Sequence, residues 1–168
     1  MDFRDIKEYS SDIIKYTVII ILVLLIMTYV VSLQQVVGKS MEPKYKNADM
    51  LVLNKLNYKI SNPKRFDIVV MTYADSKYLV KRIIGMPGER IEYINNALYV
   101  NGREIEEKFL KDTKTDNFKL YETIPKNYYL VLGDNREDSL DSRDERVGLV
   151  HKKDLVGKVL FRIWPIIR

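Results

Sequence analysis

The feature that most constrains this chain is a long uncharged stretch near its N-terminus. No charged side chain lies between Lys15 and Lys39, and residues 16–33 are mostly Ile, Leu, Val and Met. A helix needs ~20 apolar residues to cross the hydrocarbon core of a bilayer. A buried core helix would show a polar stripe at the helical period, and residues 18–27 show none. We therefore expect a membrane anchor helix over residues 16–33.

A cleavable signal peptide is the main alternative for this segment. It would have a shorter apolar region followed by small residues at the cleavage site. Here residues 32–35 read S-L-Q-Q, which favours an uncleaved anchor. The basic residues nearest the two ends are Arg4, Lys7 and Lys15 before it and Lys39, Lys44 and Lys46 after it. Because three basic residues lie on each side of the segment, the charges do not decide which end of the helix faces the cytoplasm. We expect a short cytoplasmic segment over 1–15 and an extracytoplasmic domain over 34–168, on the functional argument below.

Composition excludes several kinds of chemistry. A chain of 168 residues suits one modest domain, and the absence of cysteine rules out disulfides, thiolate nucleophiles and cysteine-based zinc sites. The single histidine, His151, cannot form a multi-histidine metal site, so we expect no metal and no cofactor. A net charge of +5 suits an anionic membrane or a nucleic acid equally. No nucleic-acid-binding module is recognisable, so we expect no nucleic acid partner.

The rest of the chain is rich in strand signals. Short apolar, β-branched or aromatic runs cover residues 50–54, 66–72, 78–84, 128–132 and 155–163. Residues 98–100 and 103–105 flank Asn101-Gly102, a strong hairpin signal, and residues 86–88 (M-P-G) indicate a tight turn. The charged segment 104–119 is expected to be a surface excursion. The predicted fold class is mainly β, as an antiparallel sheet or partly closed barrel behind one transmembrane helix.

Two local patterns hold a candidate nucleophile and a candidate base. Residues 38–43 read G-K-S-M-E-P, and a serine such as Ser40 before a proline is most often a simple turn residue. On a strand, Lys81 shares a face with Leu79 and Ile83. A lysine between apolar neighbours either extends its amine to water or is desolvated, and desolvation lowers its pKa.

Two further patterns have plain structural interpretations. Residues 133–143 read G-D-N-R-E-D-S-L-D-S-R, which invites comparison with a calcium loop. That template needs an oxygen ligand at its third position and glycine at its sixth, where this chain has Arg136 and Ser139. A turn braced by ion pairs fits better. Residues 66–70 (F-D-I-V-V) are typical of a buried strand.

Taken together and in this order, the four patterns resemble type I signal peptidases, serine/lysine-dyad proteases that cut export signals. The family's S-M-x-P-T box is matched by residues 40–43, with Lys44 in place of Thr. Its R-G-D-x-V-V strand is matched by residues 65–70, with Phe66 in place of Gly. The K-R-x-x-G-x-P-G box is complete over 81–88, and the G-D-N-R-x-x-S-x-D-S-R box is complete over 133–143. The compact length is similar to the small Gram-positive members.

The resemblance implies that Ser40 is the nucleophile and Lys81 the general base. It also implies a set of supporting residues, in which Ser139 orients the Lys81 amine, Asp141 pairs with Arg143, and Asp134 and Arg82 brace the site. The implied pocket-lining residues are Val36, Met41 and Val80. Some members bind the oxyanion with a serine hydroxyl two residues before the nucleophile, where this chain has Gly38. The backbone N–H of Ser40 then remains as one hydrogen-bond donor to the oxyanion, and the sequence does not identify the second donor.

The implied function is removal of N-terminal signal peptides from exported preproteins, with cleavage after small residues at positions −3 and −1. The expected partners are preproteins and the lipid bilayer, without a partner subunit; the range of substrates, general or specialised, is open. A self-cleaving repressor would need a helix-turn-helix where the membrane helix stands, and a pure binding module has no use for the serine/lysine pair. Residues 161–168 fit either a second membrane contact or a core strand.

Overall fold

The N-terminal anchor segment forms one long helix. The computed structural model describes residues 3–74, 77–110, 113–120 and 122–165. Helix α1 spans Phe3–Tyr29, and its window Asp12–Tyr29 has a mean hydropathy of 2.1 with none of its residues buried. Among the described residues it is the one helix long and apolar enough to cross a membrane.

The helix ends four residues before the predicted boundary at residue 33. Strand β1, Val31–Gln35, follows at once and pairs antiparallel with strand β2, Met50–Asn54. The backbone groups of residues 31–33 are therefore satisfied by a neighbouring strand and not by a helical turn. β-Branched Val30 and Val31 favour this change from helix to strand.

The remainder of the chain forms two antiparallel sheets, which confirms the mainly β fold class behind one N-terminal apolar helix. Besides β1 and β2, the seven-stranded sheet contains β3 (Ile68–Tyr73), β4 (Lys77–Gly85), β9 (Tyr128–Leu132), β10 (Val150–His151) and β11 (Leu155–Trp164). The strand order in this sheet is β1-β2-β11-β3-β4-β9-β10. The four-stranded sheet has the order β7-β6-β5-β8, with β5 (Ile91–Ile94), β6 (Ala97–Val100), β7 (Arg103–Ile105) and β8 (Phe118–Lys119). A one-turn helix, α2 (Asn57–Ile60), follows β2.

Two hairpins build the smaller sheet. The predicted Asn101-Gly102 turn joins β6 to β7, with φ of 51° and 78° at its two residues. A second two-residue turn, Asn95-Asn96, joins β5 to β6 with φ of 49° and 70°. Asparagine tolerates this left-handed backbone better than most residues.

Segment 104–119 was predicted to be a surface excursion, and most of its described residues are exposed or partly exposed. Its ends belong to β7 and β8, Thr115 is buried, and Phe109 packs against Phe66 with ring centroids 5.1 Å apart. Glu107 in this segment supplies the counter-charge of the buried Arg136.

Candidate active site

The candidate nucleophile lies on a turn that follows β1. Gly38 has a φ of +90° and donates its N–H to Asn47 Oδ1 at 2.9 Å. Ser40 then begins a run of turns, and its carbonyl accepts a 3.0 Å hydrogen bond from the Asn135 N–H. The Ser40 N–H donates to no residue within the described part of the chain. The expected role of this N–H as the first oxyanion donor stays a prediction.

Lys81 lies in the middle of β4, and its amine meets the serine hydroxyl. Lys81 Nζ is 2.6 Å from Ser40 Oγ, although the two residues are far apart in sequence. Only 1% of the lysine is exposed, and its cross-strand neighbour Val69 is fully buried. Burial lowers the pKa of the Lys81 amine to about 8. The nearby Arg143 adds to this lowering, while the carboxylates of Asp141 and Asp134 oppose it.

Asp141 and Arg143 form the ion pair that the resemblance implies. Arg143 donates from Nε and Nη2 to the two carboxylate oxygens, each at 2.9 Å, and the Gly133 N–H donates to Asp141 Oδ2 at 3.0 Å. Burial alone would raise the pKa of Asp141, but these hydrogen bonds hold it below its ordinary value. The charged carboxylate ties both ends of the loop 133–143 together.

Ser139 is beside the candidate nucleophile but does not bind the lysine amine. Its Oγ atom is buried and lies close to the Asp141 carboxylate. The distances and angles from this atom to the other described residues do not meet the criteria of a hydrogen bond. The bond to Lys81 that the resemblance implies is therefore not formed in this conformation. Gly133 packs between the two serines: a Cβ atom there would lie 2.2 Å from Ser139 Oγ and 2.4 Å from the Ser40 carbonyl oxygen. Only glycine permits this approach.

Arg82 and Asp134 form a second buried pair on the opposite face of β4. Arg82 donates from Nε and Nη2 to the Asp134 carboxylate at 2.7 and 2.6 Å, and from Nη1 to the Phe66 carbonyl at 3.0 Å. Its guanidinium lies 3.9 Å from the centre of the Phe109 ring. Phe66, which replaces the family's glycine, has a φ of +69°. The left-handed backbone explains why glycine suits this position.

The three expected pocket residues share one apolar cluster. Val36, Met41 and Val80 are buried and pack with the core of β2, β3 and β11. Val36 and Met41 precede and follow Ser40 along the chain, and Val80 precedes Lys81. All three side chains are largely buried, and on β4 the side chains of Val80 and Lys81 point to opposite faces, so the pocket role of these residues stays a prediction.

The C-terminal tail of the sheet is both strand and exposed apolar surface. Phe161 of β11 and Leu33 of β1 flank Val52 of β2 as cross-strand partners, and Trp164 pairs with Met50. Phe161 and Trp164 are 54% and 64% exposed. The tail is thus a strand, but not a core strand along its full length. Residues 166–168 of the expected membrane contact lie outside the described residues.

His151 lies at the far edge of the seven-stranded sheet. It is in β10, its ring meets Tyr128 edge to face at 4.9 Å between centroids, and its Nδ1 accepts the Lys153 N–H. Among the described residues, His151 makes no hydrogen bond to Ser40 or to Lys81.

The residue that sequence analysis missed is Glu107. Its carboxylate accepts a 2.5 Å hydrogen bond from Nη2 of Arg136, whose side chain is fully buried. Arg136 also donates to the Tyr93 hydroxyl, Thr115 Oγ1 and the Gly133 carbonyl, each at 2.9 to 3.0 Å. Arg143 returns a 2.7 Å hydrogen bond to the Arg136 carbonyl. A buried arginine needs a carboxylate, but no local pattern shows which of several glutamates supplies it.

A serine hydroxyl in contact with a buried amine of low pKa is an arrangement in which the amine can activate the hydroxyl as a nucleophile. The class of protein that this fold and site define is a serine endopeptidase.

Comparison with known proteins agrees. Residues 10–164 match the family model described as signal peptidase, peptidase S26. Signal peptidase I of Bacillus caldolyticus is 42% identical over 150 residues, covering 82% of this chain and 81% of that protein. Signal peptidase IB of Staphylococcus aureus (strain Mu50 / ATCC 700699) is 35% identical over 176 residues, covering 95% and 91%. The crystal structure of a signal peptidase I from Enterococcus faecalis V583 superposes with a TM-score of 0.52 at 36% identity, covering 61% of this chain and 99% of that one. The chain belongs to the signal peptidase family, peptidase S26.

Proposed function

We propose that this protein is a membrane-bound endopeptidase that removes N-terminal signal peptides from exported preproteins, with Ser40 as nucleophile and Lys81 as general base. The observation that carries the proposal is the 2.6 Å contact between Lys81 Nζ and Ser40 Oγ in a buried setting. An ordinary lysine is protonated at neutral pH and cannot accept a proton. A pKa of about 8 leaves an appreciable neutral fraction.

The proposed reaction begins when neutral Lys81 accepts the proton of the Ser40 hydroxyl. The Ser40 oxygen forms a bond to the scissile carbonyl carbon, and the negative charge that develops on the carbonyl oxygen is stabilised by the Ser40 N–H. Protonated Lys81 then gives its proton to the leaving amine as the peptide bond breaks. A water molecule, deprotonated by Lys81, hydrolyses the resulting ester and restores the serine.

We propose that α1 crosses the membrane with its N-terminus in the cytoplasm, so that the catalytic domain lies outside. Ser40 follows the end of α1 at Tyr29 by a short strand and loop, which keeps the site close to the bilayer. The exposed Leu33, Phe161 and Trp164 give the domain an apolar surface for the interface, where tryptophan is favoured. Signal peptides end their apolar stretch at this level.

Replacement of either partner of the dyad tests the mechanism. Ser40→Ala and Lys81→Ala should each reduce preprotein cleavage by at least ~10³-fold, and the double variant should be no worse than either, because the two act as one unit. Ser61→Ala and Lys46→Ala are matched controls at exposed positions outside the site. Turnover should be measured with detergent-solubilised full chain. Near-normal turnover in a folded single variant would refute the assignment.

We further propose that substrates carry small residues at positions −3 and −1 and that no partner subunit is needed. The support is the family resemblance, which implies that Val36, Met41 and Val80 line the substrate pocket; all three belong to one buried apolar cluster. A preprotein with Phe at −1 should resist cleavage by the purified chain, while one with Ala there should be processed. Efficient processing of the Phe substrate contradicts this specificity.

A further inference from the structure

Four lysines converge on one groove that the proposed reaction does not use. The groove has a volume of about 450 Å³, and the basic side chains that line it are Lys55, Lys59, Lys152 and Lys153, with His151 beside them. Lys55 comes from the β2–α2 connection, Lys59 from α2, and the other two from the turn of 3₁₀ helix, Lys152–Asp154, that follows β10. Segments distant in sequence are therefore folded together to concentrate positive charge.

The groove lies at the level where α1 ends. The Lys55 N–H donates to the Val30 carbonyl at 2.8 Å, and its amine binds the carbonyl of Thr28 in the last turn of α1. A cation favourably caps the carbonyl end of a helix. Because α1 has the length and hydropathy of a membrane span, this contact fixes Lys55 and its neighbours at the depth of the lipid headgroups.

The positive charges of the groove are not balanced by the protein. None of the four lysines forms an ion pair with a carboxylate in the described part of the chain. Lys152 Nζ donates to the neutral amide oxygen of Asn62 at 2.8 Å. Asp154 is the nearest carboxylate in sequence; its backbone carbonyl accepts a hydrogen bond from the Thr72 hydroxyl, and its side chain forms no ion pair with the four lysines in the described part of the chain. Clustered like charges repel one another unless an anion joins them.

We infer that this groove binds the headgroup of an anionic phospholipid in the leaflet that faces the catalytic domain. The lysine amines supply donors and charge for the lipid phosphate, and each lysine near an anionic membrane surface adds to the attraction. A bound lipid would fix the rotation of the domain about α1 and thereby the height of Ser40 above the bilayer. The inference rests on the proposed anchoring of α1. The position of the groove at the level of the lipid headgroups favours a lipid over an acidic peptide or a soluble phosphate.

Lipid retention by the purified protein tests the inference. The full chain carrying Ser40→Ala, which removes the proposed nucleophile, is compared with the same chain carrying in addition Lys59→Gln, Lys152→Gln and Lys153→Gln. Lys55 is kept because it contacts α1. The matched control instead carries Lys77→Gln, Lys114→Gln and Lys119→Gln, at positions that are exposed and lie outside the groove. Each protein in detergent is titrated with a phosphatidylglycerol and a phosphatidylcholine of identical acyl chains, and bound lipid is counted by native mass spectrometry.

We expect the unaltered groove to retain phosphatidylglycerol over phosphatidylcholine, and the groove variant to lose that preference by about tenfold or more while the control keeps it. Equal retention of the two lipids, or an unchanged preference in the groove variant, overturns the inference. Displacement of the lipid by equimolar glycerol phosphate or oligoglutamate also overturns it, in favour of a soluble anion or an acidic peptide. Carbonate extraction of membranes separates the two proposals: release of the intact chain contradicts the anchor, whereas retention without lipid preference contradicts the groove alone.

Discussion

Among the buried cations in the described part of the chain, Arg136 and Lys81 have surroundings that differ in kind. Arg136 has a carboxylate partner in Glu107 and further acceptors around its guanidinium; burial opposes its charge, but Tyr93 and Glu107 raise its pKa. Lys81 is equally buried, yet the partner of its amine is the neutral hydroxyl of Ser40. Its pKa is lowered to about 8.

The difference teaches how one sheet domain holds a permanent charge and a removable one. A buried charge is strongly unfavourable unless a counter-charge and hydrogen bonds satisfy it. The Arg136 site meets this requirement and so braces the loop 133–143. The Lys81 site leaves it unmet, which favours the neutral amine that can accept a proton from Ser40.

The largest change in stability should come from removal of the Arg136 counter-charge. Glu107→Ala leaves a fully buried guanidinium without its carboxylate and should lower the free energy of unfolding by about 3–5 kcal/mol. Urea unfolding of the detergent-solubilised chain measures this loss. Glu106→Ala is the matched control, because that neighbour is 76% exposed and its pair with Lys108 contributes little. Equal stability of the two variants would show that Arg136 does not depend on Glu107.

The opposite sign is expected at Lys81. The difference between a pKa of 10.5 in the unfolded chain and about 8 in the fold corresponds to about 3 kcal/mol, by which the charged amine destabilises the folded state. Lys81→Met removes this penalty and should raise the free energy of unfolding at pH 7 by up to about 3 kcal/mol.

The gain from Lys81→Met should depend on pH. Below pH about 8 the amine is charged in both states, so the penalty is complete. Between about 8 and 10.5 the unfolded chain binds the proton that the folded chain has lost, so the stability of the unaltered protein rises with pH. The advantage of the Met variant should shrink across that window. An advantage that is absent at pH 7, or constant up to pH 10.5, contradicts a depressed pKa.

Much of this architecture is predictable from the sequence, because the strands carry strong local signals. The runs at residues 50–54 and 128–132 coincide with β2 and β9, and the Asn101-Gly102 hairpin forms as expected. β1 was missed because its residues continue the apolar run of the anchor. β10 and β8 are two residues long, and only their pairing with neighbours defines them.

The site was predictable in its residues but not in its bracing. The motif positions of Ser40, Lys81, Asp141 and Arg143 are brought together in space, while their catalytic and supporting roles stay predictions. The dependence of Arg136 on Glu107 could not be predicted, because a charged segment such as 104–119 normally indicates a solvated surface. A pair formed by residues far apart in the sequence, such as Glu107 and Arg136, leaves no periodic pattern from which it could be detected.

The most direct test of the account is the pH dependence of kcat/KM for a substrate with no ionisation of its own between pH 6 and 10. If neutral Lys81 accepts the proton from Ser40, kcat/KM should rise with pH through a single apparent pKa near 8, that of the free enzyme. His151→Ala should leave this profile unchanged, since His151 lies at the far edge of the sheet. A rising limb near ~6.5 that disappears in His151→Ala would contradict the account and make histidine the base.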